Sequence, residues 1–191
     1  MTERITIIGA GSWGSGLARL VSDNGYRVMM YDVDPDIVNE INLYHTNKTK
    51  LPAGTLNENV SATTDIGEAV DFGDIIVLVV PTKVIRGALR AVGGVIRGKK
   101  LFVNASKGIE PDTFKRVSEI VYEEIPEEYI EGFVALSGPS HAEEVILQML
   151  TLVTAASPNI EHARLVQRVF SNQTYFRVYT VTDLIGVEIC F

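Results

Sequence analysis

Short apolar runs alternate with amphipathic stretches along nearly the whole chain. The runs at 5–8, 27–32, 75–80, 101–105, 133–136, 152–156 and 175–181 predict strands. The stretches at 12–24, 34–43, 66–70, 113–124, 140–147 and 160–170 predict helices, as does a segment that starts at Pro81 and ends near "GGVIRG". Gly25 stands where the first helix should end, and Asp34 followed by Pro35 reads as an N-cap and first helical residue. Residues 44–60, "YHTNKTKLPAGTLNENV", predict a loop. Thr182 is placed to cap a last segment, "DLIGVEICF", with little room for a helix and no evident surface to pack on. The apolar runs are continuous, as in strands covered on both sides. Strand–helix alternation with short links then predicts an α/β fold of Rossmann type. This is a doubly wound, mostly parallel sheet with helices on both faces.

Composition narrows the function classes. The 191 residues carry a net charge of −7, which argues against a nucleic-acid partner, because phosphate binding needs a basic face. The single Cys190 forms no internal disulfide and fits a reducing compartment. The longest apolar run, residues 75–80, is far too short for a membrane span, and "MTERITIIGA" has no signal-peptide pattern. A cytoplasmic protein is expected.

"GAGSWG" places Gly9, Gly11 and Gly14 in a G-x-G-x-x-G pattern between a predicted strand and a predicted helix. Gly9 permits the tight turn, Gly11 lets backbone N–H groups approach a pyrophosphate, and Gly14 lets the helix sit close on the strand. The helix N-terminus then attracts the anion. Asp32 lies at the end of the second strand, where a carboxylate accepts hydrogen bonds from the ribose hydroxyls of NAD and repels a 2′-phosphate. Val33 offers such a phosphate no positive charge, so NAD is preferred and NADP is the alternative. The bland reading of Asp32 is a turn residue.

Three further strand ends carry candidate chemistry, since ligands of open α/β sheets lie beyond the carboxyl ends of the strands. Pro81 and Thr82 read either as nicotinamide-side residues or as a helix start alone. Lys107, before the pliant Gly108, reads as a phosphate or carbonyl ligand or as a solvated lysine. Gly138 and Pro139 make a turn, after which Ser140 and Glu143 read as a capping pair. Trp13, at the first turn of the helix, is expected beside the cofactor or another domain rather than in the core. His141 is discounted as a base because nothing nearby in sequence orients it, and no spacing of His45, His141 and His162 suggests a metal site.

Together "GAGSWG", "VVPT", "NASKGIE", "LSGPSHAEEV", "VTAAS" and "FRVYTVTDLIGVE" resemble the bacterial-type NAD(P)-dependent glycerol-3-phosphate dehydrogenases, in order and spacing. The resemblance implies interconversion of dihydroxyacetone phosphate and sn-glycerol 3-phosphate, which feeds phospholipid synthesis. It implies cofactor contacts at Ser12, Trp13, Lys107 and Ala142, and substrate contacts at Lys107, Gly138 and Ser140. It departs at Asp32 and Val33, at Lys50, where an aromatic is common, and at Leu150, where proline is usual. It also implies a general acid/base lysine and a helical substrate domain beyond Phe191. Residues 1–181 are thus expected to form the dinucleotide-binding domain, and 182–191 to begin an interdomain helix. Its uncovered apolar residues suggest association of chains into a homo-oligomer. A related two-domain dehydrogenase, such as a ketopantoate reductase, and a non-catalytic dinucleotide-binding module are the alternatives.

Overall fold

Ile5 and Ile7 belong to one apolar cluster and Ile8 to another, all three fully shielded from solvent. A strand buried on both faces is the core of a layered α/β structure. The computed structural model describes residues 3–190. Its eight strands are β1 (Arg4–Ile8), β2 (Arg27–Tyr31), β3 (Val60–Thr63), β4 (Ile75–Leu78), β5 (Lys100–Asn104), β6 (Ile130–Ser137), β7 (Thr151–Ala156) and β8 (Phe176–Val181). They form one sheet in the order β3-β2-β1-β4-β5-β6-β7-β8. Pairing is parallel from β3 to β6, antiparallel between β6 and β7, and parallel again between β7 and β8. The expected mostly parallel, doubly wound sheet is therefore present. Strand order reverses beside β1, which opens a crevice at the carboxyl ends of β1 and β4.

Helices cover both faces. On one face lie α1 (Ser12–Asp23), α2 (Pro35–Tyr44), α6 (Ala142–Ile146) and α7 (Ile160–Phe170), contributing Leu17, Leu20, Ile41, Val145, Val166 and Phe170. On the other lie α3 (Ile66–Phe72), α4 (Thr82–Val95) and α5 (Val117–Glu124), contributing Val70, Ile85, Leu89, Ile120 and Val121. As expected, Asp34 caps α2 by accepting from the Asp36 N–H at 2.9 Å, with Pro35 at the first turn. Gly25 follows α1 at φ 90°, a left-handed turn that glycine favours.

Four expectations need correction. The 44–60 loop ends in a strand, since β3 begins at Val60 and pairs with β2 through Val28 and Val60. Its four residues, "VSAT", are too few and too mixed to show as an apolar run. The helix expected from Thr113 starts only at Val117. Asp112 and Phe114 adopt left-handed φ of 70° and 57°, which no helix tolerates, and the Thr113 hydroxyl bonds Glu110 instead. Asp183, rather than Thr182, caps the last segment by accepting from the Gly186 N–H at 2.9 Å. That segment does complete a helix, α8 (Leu184–Cys190), and it does find a surface. Leu184 and Val187 pack on the α4/α5 face, while Ile185 and Ile189 stay exposed, as the sequence suggests for this end. What the apolar pattern does not show is the anchor. Glu188 accepts from the Ser118 N–H (2.8 Å), the Ser118 hydroxyl (2.6 Å) and Arg116 (3.1 Å).

Candidate functional site

The glycine loop joins β1 to α1, and two of its glycines have a distinct steric reason within the protein. Gly9 sits at φ 112°, and a Cβ there would lie 2.7 Å from the Val79 carbonyl oxygen. A Cβ on Gly14 would lie 2.0 Å from the Gly9 carbonyl oxygen, so the helix packs on the turn itself. A Cβ on Gly11 would meet nothing within 4 Å among the described residues. No protein group therefore explains that glycine, and the space beside it is open for a ligand. Gly11 is also the N-cap of α1 and supplies no side-chain acceptor. The first-turn N–H groups have no intrahelical partner and stay available to an anion.

A cleft of about 460 Å³ opens beside this loop. It gathers Gly11, Ser12, Trp13, Pro81, Lys107, Ser140 and Ala142 from four chain segments that the sequence reading treats separately. The Lys107 ammonium donates to the Ser140 carbonyl oxygen at 3.2 Å, joining two of the strand-end loops. The Ser140 hydroxyl is buried in the cleft wall and has no hydrogen-bond partner among the described residues. A buried hydroxyl without a partner is costly unless a ligand or water completes it. Ser12 is tied down through its hydroxyl to the Lys50 carbonyl oxygen at 2.5 Å. Trp13 both lines the cleft and packs half-buried against the core, so the expectation that it stays out of the core holds only in part.

Two other readings of this region change. Ser140 and Glu143 do not form a capping pair; the helix starts two residues later, and Glu144 accepts from the His141 N–H at 3.3 Å. Gly138 does not line the cleft, because it is packed on β7, where a Cβ would lie 2.8 Å from the Leu152 carbonyl oxygen. Its lack of a side chain lets the end of β6 pack this closely on β7. His141 lines the cleft, and among the described residues no side chain hydrogen-bonds its ring.

Asp32 and Gly9 line a second, more apolar cavity of about 420 Å³, with Val33, Val84, Gly87 and Ala88. Val80 lines both cavities, so they adjoin across the glycine loop. Asp32 accepts from the Ala10 N–H at 2.8 Å and from the Asp34 N–H at 3.1 Å. Its structural role is thus real, yet each carboxylate oxygen keeps a further lone pair for a ligand hydroxyl. Val33 is 79% exposed and presents no charge.

Sequence reasoning misses the supports under this site. Arg86 of α4 makes paired bonds to Glu110 at 2.8 and 2.7 Å and also reaches Glu123 and Glu124. Glu110 closes the Lys107 loop, and its ion-pair partner Arg86 lies 24 residues away, so no local pattern reveals the pair. The Arg86 guanidinium, with the Thr113 hydroxyl, holds the buried Glu110 carboxyl down at about 2, below the ordinary 4.5. Such a group stabilises the fold fully above about pH 4.5 and loses its contribution as pH falls toward 2. That contribution is on the order of 2–3 kcal/mol. The stability difference between the native chain and Glu110→Gln should therefore be largest at neutral pH and shrink through pH 4 to 2.5. Urea titrations across that range measure it; a difference independent of pH refutes the pairing.

Comparisons with known proteins bear on the family and the fold. The family model described as NAD-dependent glycerol-3-phosphate dehydrogenase N-terminus matches residues 4–163. The chain is 47% identical over 186 residues to a glycerol-3-phosphate dehydrogenase [NAD(P)+] of Streptococcus pneumoniae, covering 97% of this chain and 55% of that protein. It is 47% identical over 187 residues to the Bacillus velezensis enzyme of the same name, covering 98% and 54%. Among solved structures, the glycerol-3-phosphate dehydrogenase of Coxiella burnetii superposes with a TM-score of 0.91 at 29% identity, covering 99% of this chain and 57% of that one. The chain thus spans about half the length of the curated relatives it matches.

Proposed function

This chain belongs to the NAD-dependent glycerol-3-phosphate dehydrogenase family, and from that premise we propose that its two adjoining cavities hold a nicotinamide dinucleotide. The observation that carries the reading is Gly11, where the protein leaves open the space beside an uncapped helix N-terminus. The first-turn N–H groups hold the diphosphate. Asp32 holds the adenosine-side ribose above the more apolar cavity. Trp13, Pro81 and Ala142 wall the nicotinamide side of the cleft.

The bound cofactor supplies a hydride for the interconversion of dihydroxyacetone phosphate and sn-glycerol 3-phosphate in the whole protein. Lys107, which bonds the Ser140 carbonyl, and the Ser140 hydroxyl both belong to the cleft lining, and they orient the substrate there and stabilise negative charge on its oxygen. Residues 1–181 are the cofactor-holding domain, and α8 leads out of it. Among the described residues no helix is long and apolar enough to cross a membrane. We place the protein in the cytoplasm, a reducing compartment, and assign association between chains to the exposed Ile185 and Ile189 of α8.

Fluorescence titration of the chain with NADH and NADPH tests the reading. NADH is expected to bind, and NADPH at least about tenfold more weakly, because Asp32 and Val33 give a 2′-phosphate repulsion and no cation. Asp32→Ala should narrow that gap; an unchanged ratio shows that Asp32 only shapes the turn. Absence of NADH binding by folded chain defeats the proposal. The 191-residue chain alone is expected to reduce no dihydroxyacetone phosphate above the blank. A positioned proton donor contributes about 10²–10⁴-fold, and the family resemblance puts that lysine beyond Phe191. Turnover that disappears in Lys107→Ala would place the chemistry in this domain instead.

A further inference from the structure

The loop between α2 and β3 reads as a plain connection, but it sends one side chain under the glycine loop. Asn47 is 1% exposed. Its Nδ2 donates to the Ala10 carbonyl oxygen at 2.8 Å and to the Ser15 hydroxyl at 2.9 Å. Only the NH2 end of the amide can serve a carbonyl, so the orientation of the side chain is determined. Asn47 is itself held in place, since its backbone carbonyl accepts from the N–H groups of Lys50 (3.1 Å) and Leu51 (2.7 Å).

Ala10 stands between the first two glycines. Its N–H is taken by Asp32 at 2.8 Å and its carbonyl by Asn47 at 2.8 Å. Both of its peptide planes are therefore clamped. In a trans peptide the carbonyl and the following N–H point in opposite directions. With the Ala10 carbonyl turned down to buried Asn47, the Gly11 N–H is turned away from it, and Gly11 lines the cleft.

We infer that Asn47 is a positioning residue of the cofactor site: by holding the Ala10 carbonyl it aims the Gly11 N–H at the diphosphate of the dinucleotide. The inference rests on the dinucleotide reading above. Asn47 touches no ligand itself; it fixes the direction of a donor before the ligand arrives. An aspartate of the same shape would lose the donor and set a carboxylate against the Ala10 carbonyl.

The experiment compares the native chain with Asn47→Asp and Asn47→Ser, each titrated with NADH, ADP and adenosine and followed by amide NMR. Losing one aimed donor to a charged group should weaken NADH and ADP by about 10- to 100-fold in Asn47→Asp. Adenosine, which has no diphosphate, should change less than about twofold, and the Gly11 amide resonance should move. Asn47→Ser keeps a hydroxyl donor without a charge and is expected to fall between the two; it carries the test if the aspartate does not fold. Arg19→Ala is the control. Arg19 donates to the Thr55 carbonyl oxygen at the other end of the same loop, at 2.5 Å, so its loss should lower Tm and leave the NADH Kd unchanged. Equal weakening of NADH in Arg19→Ala, or equal weakening of adenosine and ADP in the Asn47 variants, overturns the inference in favour of general loop stability. A native chain that binds no NADH overturns the dinucleotide reading, and this inference with it.

Discussion

Gly11→Val is expected to weaken NADH binding at least about 100-fold while the protein stays folded. The backbone at Gly11 has φ −72° and ψ −175°, an extended conformation that valine accepts, and a Cβ there meets no protein atom within 4 Å. The structural cost is that of a poor N-cap residue, about 1 kcal/mol. That lowers Tm by no more than about 4 °C in a chain of this size. The functional cost is larger, because the side chain fills the space through which a diphosphate reaches the first-turn N–H groups, leaving those charge-assisted bonds unmade. Gly14→Ala should do the reverse. Its Cβ would fall 2.0 Å from the Gly9 carbonyl oxygen, so α1 must shift off the turn, at a cost on the order of 3 kcal/mol. Paired thermal melts and NADH titrations separate the two. A folded Gly11→Val chain that binds NADH normally removes this loop as the phosphate site.

Glu188→Ala should free α8 from the rest of the fold. The Glu188 side chain is 2% exposed and carries three hydrogen bonds, two of them from Ser118 at the start of α5. Removing a buried partner of this kind costs about 3–5 kcal/mol, because the Ser118 N–H and hydroxyl lose their acceptor and Arg116 keeps only Glu119 as an ion-pair partner among the described residues. The helix is seven residues long, too short to persist without that contact. The loss should therefore appear as local opening. Amide exchange across α8 is expected to approach that of an unstructured segment, while β4, β5 and β6 keep their protection. Glu188→Gln, which retains an acceptor, should lose only part of the protection. Unchanged exchange in Glu188→Ala would show that Leu184 and Val187 hold the helix by packing alone.

The parts of this fold that sequence reveals are those written locally. Ile5–Ile8 and Ile75–Leu78 are buried on both faces and show as continuous apolar runs. The glycine loop shows because Gly9 and Gly14 answer steric demands within one turn and the strand beside it, and Gly11 stands between them at the pattern's spacing. Pro35 and Asp34 mark a helix start by their own backbone chemistry. What stays hidden depends on distant partners. Asn47 is one more polar residue in a polar loop until the fold puts Ala10 and Ser15 above it. Glu110 looks like an ordinary surface acid until α4 brings Arg86 to it. Glu188 lies in a segment that looks apolar and unsupported, and its anchor on Ser118 is seventy residues away. The late start of α5 is hidden for another reason. Asp112 and Phe114 take left-handed backbone conformations that their side chains do not advertise. In the cleft, residue types and strand-end positions point to Lys107 and Ser140, but only the fold shows that the two loops touch.

The contact between the glycine turn and the end of β4 also fixes when the site comes into being. The pairing of β1 with β2 joins Arg4 to Arg27 and closes a short stretch of chain. Pairing with β4 joins Ile5 to Ile75 and must wait until some seventy residues have been made and brought back. Loop-closure entropy rises only slowly with such distances, so the delay costs little stability, but high sequence separation slows folding. The turn at Gly9 leans on the Val79 backbone, and the Val79 N–H bonds the Ile8 carbonyl. A nascent chain that ends before β4 would therefore hold the three glycines and the first helix without the cradle they form. The proposed phosphate-binding turn therefore depends on a strand that lies some seventy residues further along the chain.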